Sequence, residues 1–320
     1  MVKKNNFAFF LVLTIFIFSS CQTVHKGNQP QKFTPQVVTP QQPVTTTPVE
    51  LPKVTTESPP TPLQQPQIVT PQIITPQIVP GGVKGLPKFG IIFSGGGAKA
   101  WAEIGVLKEM QKYKFPVLSV AGIEWGSVIA ATFAQNGSVN EVEWELSKFK
   151  DVDDWQEFVR AAFAHKSTVD FKIPFVCPSL NLKNKTSYLL NRGQVDQFLP
   201  FCIPSAGVTK PYGNSVANLN DVAAVAQHLK ATGVNKIILI NVISSKNDSA
   251  LIKSLESPEN QVWAQFAASM NKKIPLVDDV IEIEMDDFKI DDFDKRADIM
   301  AKGSELGYTQ VKKLAEKYRL

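Results

Sequence analysis

Thirteen prolines fall between residues 22 and 86, at positions 30, 35, 40, 43, 48, 52, 59, 60, 62, 66, 71, 76 and 80. Each removes a backbone donor and biases the residue before it to extended angles. No helix or strand ladder propagates through that spacing, so residues 22–86 cannot contribute to a packed core. Between the prolines sit Thr, Gln, Val and Ile, with Thr-Pro-Gln at 34–36, 70–72 and 75–77. This is the composition of a polyproline-like, semi-rigid tether. At about 3.1 Å per residue, some 60 residues reach on the order of 180 Å when fully extended. A spacer that crosses a layer and plain disorder without a partner both remain open readings. Folding is left to residues 87–320, enough for one large domain with a substantial core. The formal net charge of +4 is spread along the chain without a dense basic run, which argues against a nucleic-acid partner.

Residues 1–21 read as a targeting segment. Lys3 and Lys4 form a positive start, and Phe7 to Phe18 is an apolar run too short to span a bilayer comfortably. It ends in Phe18-Ser19-Ser20-Cys21, which resembles a bacterial lipobox, with Cys21 lipidated as the mature N-terminus. An uncleaved signal anchor is the alternative. Gln22 follows the cysteine, and by resemblance to enterobacterial sorting this implies an outer-membrane lipoprotein in a bacterial envelope. Membrane lipid, through that anchor, is then one expected partner. Cys177 and Cys202 are either a disulfide or two buried thiols.

Two strand-turn-helix units carry the chemistry. The first is Phe89-Gly90-Ile91-Ile92-Phe93, a buried strand by composition, then Ser94-Gly95-Gly96-Gly97-Ala98-Lys99-Ala100 and a helix from about Trp101 to Tyr113. A glycine-rich turn at a helix start exposes backbone N–H groups that hold a phosphate or an oxyanion. The spacing is not that of a dinucleotide fingerprint. The second unit, residues 119–134, has the layout of a nucleophile elbow, G-x-S-x-G. Here the pattern is Gly122-Ile123-Glu124-Trp125-Gly126, with Glu124 where the serine belongs.

Together these motifs resemble the patatin-like phospholipase family, over roughly residues 88–320. Gly95-Gly96-Gly97-Ala98-Lys99, followed by Ile104-Gly105-Val106-Leu107, is similar to the family's oxyanion loop and first helix, with Ala100 in place of its last glycine. Val120-Ala121-Gly122 and Gly126 to Ala131 resemble the elbow flanks. Residues 235–242 resemble a later strand and residues 291–303 the closing helix. The resemblance implies an α/β fold, a three-layer α/β/α patatin-like domain with a mostly parallel central sheet. It also implies a serine–aspartate dyad that hydrolyses lipid acyl esters, with the glycine loop holding the tetrahedral oxyanion. The serine position is Glu124. The register that aligns Val216 and Asn218 puts Gly213 in the aspartate position, with Asp221 eight residues late.

Loss of both groups points to a pseudoenzyme that binds a lipid or acyl ligand, or an envelope protein partner. An active acyl hydrolase with a non-standard site and a structural envelope lipoprotein are the competing readings. In the first of these three, the Glu124 carboxyl fills the loop made by Gly95, Gly96 and Gly97, Lys99 pairs with it, and Trp125 narrows an acyl pocket. Ser127, one turn into the helix, is expected to bond backbone locally. A Glu124–Asp221 pair suits glycoside chemistry only at the right separation. His25, His165 and His228 are scattered without metal spacing, and no cofactor is called for. Helices are expected over Glu141–Phe149 and Asp153–Phe163, with Trp144, Trp155 and Phe158 inward. Residues 280–285 alternate as a half-exposed strand, Phe171–Phe175 reads as core, and the acids from Asp286 to Asp294 read as a solvated surface.

Overall fold

The computed structural model describes residues 85, 87–243 and 258–320. The readings of residues 1–21, including lipidation at Cys21, and of the tether lie outside those residues, Gly85 apart. Strand β1 (Phe89–Phe93) leads through a 3-10 turn (Gly97–Ala100) into α1 (Trp101–Lys112), β2 (Val117–Gly122) and α2 (Gly126–Asn136). Helices α3 (Val139–Ser147) and α4 (Trp155–Ala162) follow. Then come β3 (Phe175–Asn181), β4 (Thr186–Leu190), α5 (Val195–Phe198) and β5 (Ser215–Ala217). The described chain closes with α6 (Val222–Ala231), β6 (Lys236–Asn241), α7 (Pro258–Met270), β7 (Asp279–Glu282) and α8 (Arg296–Tyr318).

The sheet order is β4-β3-β2-β1-β6-β7, with β5 also on β3. The pairs β1–β2, β1–β6, β2–β3 and β6–β7 are parallel, and β4 and β5 run antiparallel to β3. This is the mixed α/β architecture with a mostly parallel sheet that the sequence implied. Central β1 is buried along its whole length and β6 at all but its first residue, so both read as continuous apolar runs. Edge strand β7 alternates, with Ile281 inside and Val280 and Glu282 outside. The chain leaves β1 toward β2 and later returns to β1's other side as β6. With right-handed crossovers, that reversal places helices on both faces. It also opens a crevice at the carboxyl ends of the strands beside β1, where the loops after β1, β2 and β6 meet.

Helix α8 lies against α1 because small residues let the backbones approach. A Cβ on Gly105 would stand 2.2 Å from the Met300 carbonyl oxygen, and one on Gly303 would stand 2.1 Å from that of Ala102. A disulfide joins Cys177 on β3 to Cys202, with Cα atoms 6.0 Å apart, and closes the alternative left open by the sequence. One inward expectation fails. Trp144 is 64 % exposed, while Trp155 is buried. Helix α3 buries Val139, Val142 and Leu146, and the stripe they form turns Trp144 to solvent. The 171–175 segment enters the sheet only at Phe175.

Candidate functional site

The loop after β1 runs through three consecutive glycines with φ of 76°, 117° and 56° at Gly95, Gly96 and Gly97. Side chains rarely adopt such angles, and space forbids them here as well. A Cβ at Gly95 would meet the Ile123 carbonyl oxygen at 2.2 Å, and one at Gly97 the Ile290 oxygen at 2.0 Å. Successive N–H groups in this geometry form an anion-binding concavity.

Across from it, β2 ends at Gly122 and the chain turns sharply into α2. Glu124 occupies the tip of that turn with φ 55°, a left-handed conformation that strains any residue with a Cβ by about 1–2 kcal/mol. The glycines on either side allow the turn. A Cβ on Gly122 would lie 2.2 Å from the Gly126 oxygen, and one on Gly126 would lie 2.8 Å from the Gly95 nitrogen. The Glu124 carboxyl is fully buried. Its Oε2 accepts the N–H groups of Gly96 (2.8 Å), Gly97 (2.8 Å) and Trp125 (2.7 Å). Its Oε1 accepts the Ser205 hydroxyl at 2.7 Å. Burial pushes this carboxyl up to about 7, against the pull of those four donors.

A second acid shares the loop. Glu103 of α1 is fully buried, and its Oε1 accepts the Gly95 N–H at 2.9 Å and the Ser94 hydroxyl at 3.2 Å. Burial holds it well above the usual carboxylate range, with the neighbouring Glu124 adding to the rise. The Ser94 hydroxyl accepts the Val242 N–H at 3.2 Å and so ties the loop to the end of β6. The three glycine N–H groups are thus divided, Gly95 to Glu103 and the other two to Glu124.

The remaining sequence candidates separate. Lys99 is 1 % exposed, and burial lowers its amine to about 8. The charges acting on it are those of Asp286 and Asp292, so the expected pairing with Glu124 is replaced. Of the acids in the Asp286–Asp294 stretch, Asp286 and Asp292 are half-buried, while Asp287, Asp291 and Asp294 are exposed as expected. Trp125 is fully buried and packs against Trp101 (5.9 Å between centroids), Phe149 (5.1 Å) and Phe293 (5.1 Å). These rings fill the space beside the elbow. The Ser127 hydroxyl donates to the Glu124 carbonyl oxygen, in the turn just before α2. Gly213 sits in the exposed turn between Tyr212 and Ser215, with φ 59° and no atom within 4 Å of where a Cβ would stand. An aspartate there would stand in solvent, while the Glu124 carboxyl is enclosed. Asp221 accepts from the Ser187 hydroxyl and the Asn218 amide. His228 bonds Asn191 at 3.2 Å, and burial lowers its pKa.

Glu103 and Ser205 were not singled out from sequence. Glu103 carried a signal, an acid among the apolar residues of Trp101 to Leu107. Ser205 carried none. It lies in a Pro-Ser-Ala-Gly turn with no motif around it and meets Glu124 only through the fold.

The family model described as patatin-like phospholipase matches residues 91–235. A Phaeosphaeria nodorum protein named lysophospholipase NTE1 is 23% identical over 202 residues, which covers 55% of this chain and 13% of the fungal protein. Proteins of the same name from Pyricularia oryzae and Debaryomyces hansenii are each 23% identical, covering 50% and 48% of this chain and 12% of their own lengths. The chain therefore spans about an eighth of the curated relatives it matches. These relatives are eukaryotic. That finding overturns the expectation, read from residues 1–22, of a location in a bacterial outer membrane.

Proposed function

We propose that this chain, whose residues 91–235 match the patatin-like phospholipase family model, is a catalytically silent member of that family that binds a lipid or acyl ligand, or a protein partner, without turning it over. One observation carries the reading. The carboxyl of Glu124 occupies the Gly96 and Gly97 N–H groups at 2.8 Å. An acyl hydrolase needs a nucleophile at the elbow tip and vacant donors to stabilise the oxyanion. At this tip stands a side chain that accepts hydrogen bonds, and it fills the donors that a substrate oxygen would use. An entering carbonyl would have to displace a group held by three N–H groups and a hydroxyl.

The test is hydrolysis of short- and long-chain acyl esters and of a lysophospholipid by the full chain, beside Glu124→Ala and Glu124→Ser. The wild type is expected to match the rate without protein. Glu124→Ser vacates the cradle and restores a hydroxyl at the tip. Wild-type turnover that disappears in Glu124→Ala would overturn the proposal.

A second reading, an acyl hydrolase with an unorthodox site, is favoured by the Ser205 hydroxyl at 2.7 Å from a carboxyl whose pKa is about 7. A group with that pKa suits general-base work near neutral pH. Turnover abolished by Ser205→Ala would place the nucleophile there.

A further inference from the structure

A cavity of about 300 Å³ lies at the amino-terminal edge of the parallel strands, between the end of α1, the start of β2 and the start of α3. Its walls are mostly apolar, with Leu107, Met110 and Phe115 on one side and Phe133 and Ile173 from further along the chain, and the polar Gln111 and Ser138 also line it. Its ionisable lining residue is Lys114, which is exposed. Lys172 stands close by. Its Cδ would be 3.4 Å from a Cβ on Gly137, which lines the cavity, and its Nζ donates to the Asn136 carbonyl oxygen at 2.8 Å.

The backbone at Lys114 adds an independent observation. Helix α1 ends with the Phe115 N–H on the Met110 carbonyl (3.3 Å) and the Lys114 N–H on that of Gln111 (3.0 Å). This is the paired closure that ordinarily places glycine at the left-handed position. Here that position is Lys114, with φ 55°. A lysine held where glycine is easier is strained, and such strain marks a place where the side chain serves a purpose other than stability.

We propose that this cavity binds a single-chain anionic amphiphile, with its chain against the apolar walls and its anion at Lys114 and Lys172. A pocket of this volume, apolar with few polar groups at the mouth, suits a small ligand. At about 30 Å³ per water-sized unit it takes a chain of roughly ten methylenes. The simplest occupant is a medium-chain carboxylate. The site stands apart from Glu124, at the opposite end of the strands, and does not rest on the catalytic reading.

Titration calorimetry of the full chain with decanoate, decanol and acetate tests it. Decanoate is expected to bind, decanol more weakly, and acetate without measurable heat, because chain and charge are both needed. Lys114→Glu should weaken decanoate by about five- to tenfold and leave decanol unchanged. Lys114→Gly should also weaken decanoate while raising Tm, because it removes a cation and relieves the backbone. Lys114→Glu leaves Glu124 and its donors untouched, so failure here is distinct from failure of the pseudoenzyme reading. Equal binding of decanol and decanoate, decanoate binding unchanged by Lys114→Glu, or no heat with decanoate would each overturn the proposal.

Discussion

Replacing Glu124 by glutamine should change how stability depends on pH, and the size of the change follows from the site. The Glu124 carboxyl titrates near 4.5 in an unfolded chain and is pushed up to about 7 in the folded protein. Between those values the folded state keeps a proton that the unfolded state has lost. Stability therefore falls as pH rises through that window and levels off above it. At about 1.36 kcal/mol per pH unit, the full difference is about 3 kcal/mol. Glutamine suits the same partners. Its oxygen accepts the N–H groups of Gly96, Gly97 and Trp125, and its amide donates to the Ser205 oxygen, which changes from donor to acceptor. It has nothing to titrate. Urea unfolding followed by the fluorescence of the buried tryptophans should give parallel behaviour near pH 4.5 and a glutamine variant more stable by about 3 kcal/mol at pH 8. Glu103, also raised by burial, adds a slope of the same sign to both proteins, smaller in the glutamine variant because the Glu124 charge that adds to its rise is gone. Curves that stay parallel from pH 4.5 to 8 would refute the burial argument and place the carboxyl in contact with water.

Further outcomes follow from the packing and the disulfide. Trp125→Ala, which removes the ring packed between Trp101, Phe149 and Phe293, should destabilise by about 3–5 kcal/mol in chemical denaturation. Gly303→Ala drives a Cβ to 2.1 Å from a backbone oxygen of α1 and should cost about 1–3 kcal/mol. Gly307→Ala, whose nearest neighbour is a Val106 methyl at 3.1 Å, should cost less in the same assay. Removing the bridge by Cys177→Ala with Cys202→Ala frees a loop with a separation of 25 residues and should lower stability by about 3 kcal/mol. Reducing agent should then lower the wild-type Tm toward that of the double variant and leave the variant unmoved.

The parts of the fold that were readable are those set by local chemistry. The apolar runs at Phe89–Phe93 and Lys236–Asn241 are central strands because their side chains have polar backbone to pair and no face that tolerates water. The glycine triplet and the glycines around Glu124 announced turns that only small residues make. The errors arose where neighbours in space decide. Trp144 sits at a spacing that suits a core, yet the stripe of Val139, Val142 and Leu146 claims the inner face of α3 and leaves the indole outside. Lys99 is next to the loop that Glu124 fills, yet it answers to Asp286 and Asp292, nearly two hundred residues further along the chain.

The amino-acid sequence by itself determined that an acid stands at the tip of a glycine-flanked elbow, without the serine, and that a glycine loop precedes it. Those facts are local: they need only the residue types and their spacing. Tertiary structure decided what the acid does. Strands β1 and β2 lie side by side and parallel, so the loops at their carboxyl ends meet, and the Glu124 carboxyl enters the N–H groups of Gly96 and Gly97, 28 and 27 residues earlier. The same convergence brings in the Ser205 hydroxyl, 81 residues later, from a turn that carries no mark of its role. Hydrogen bonds act over about 3 Å of space, and sequence separation has no bearing on which groups come that close.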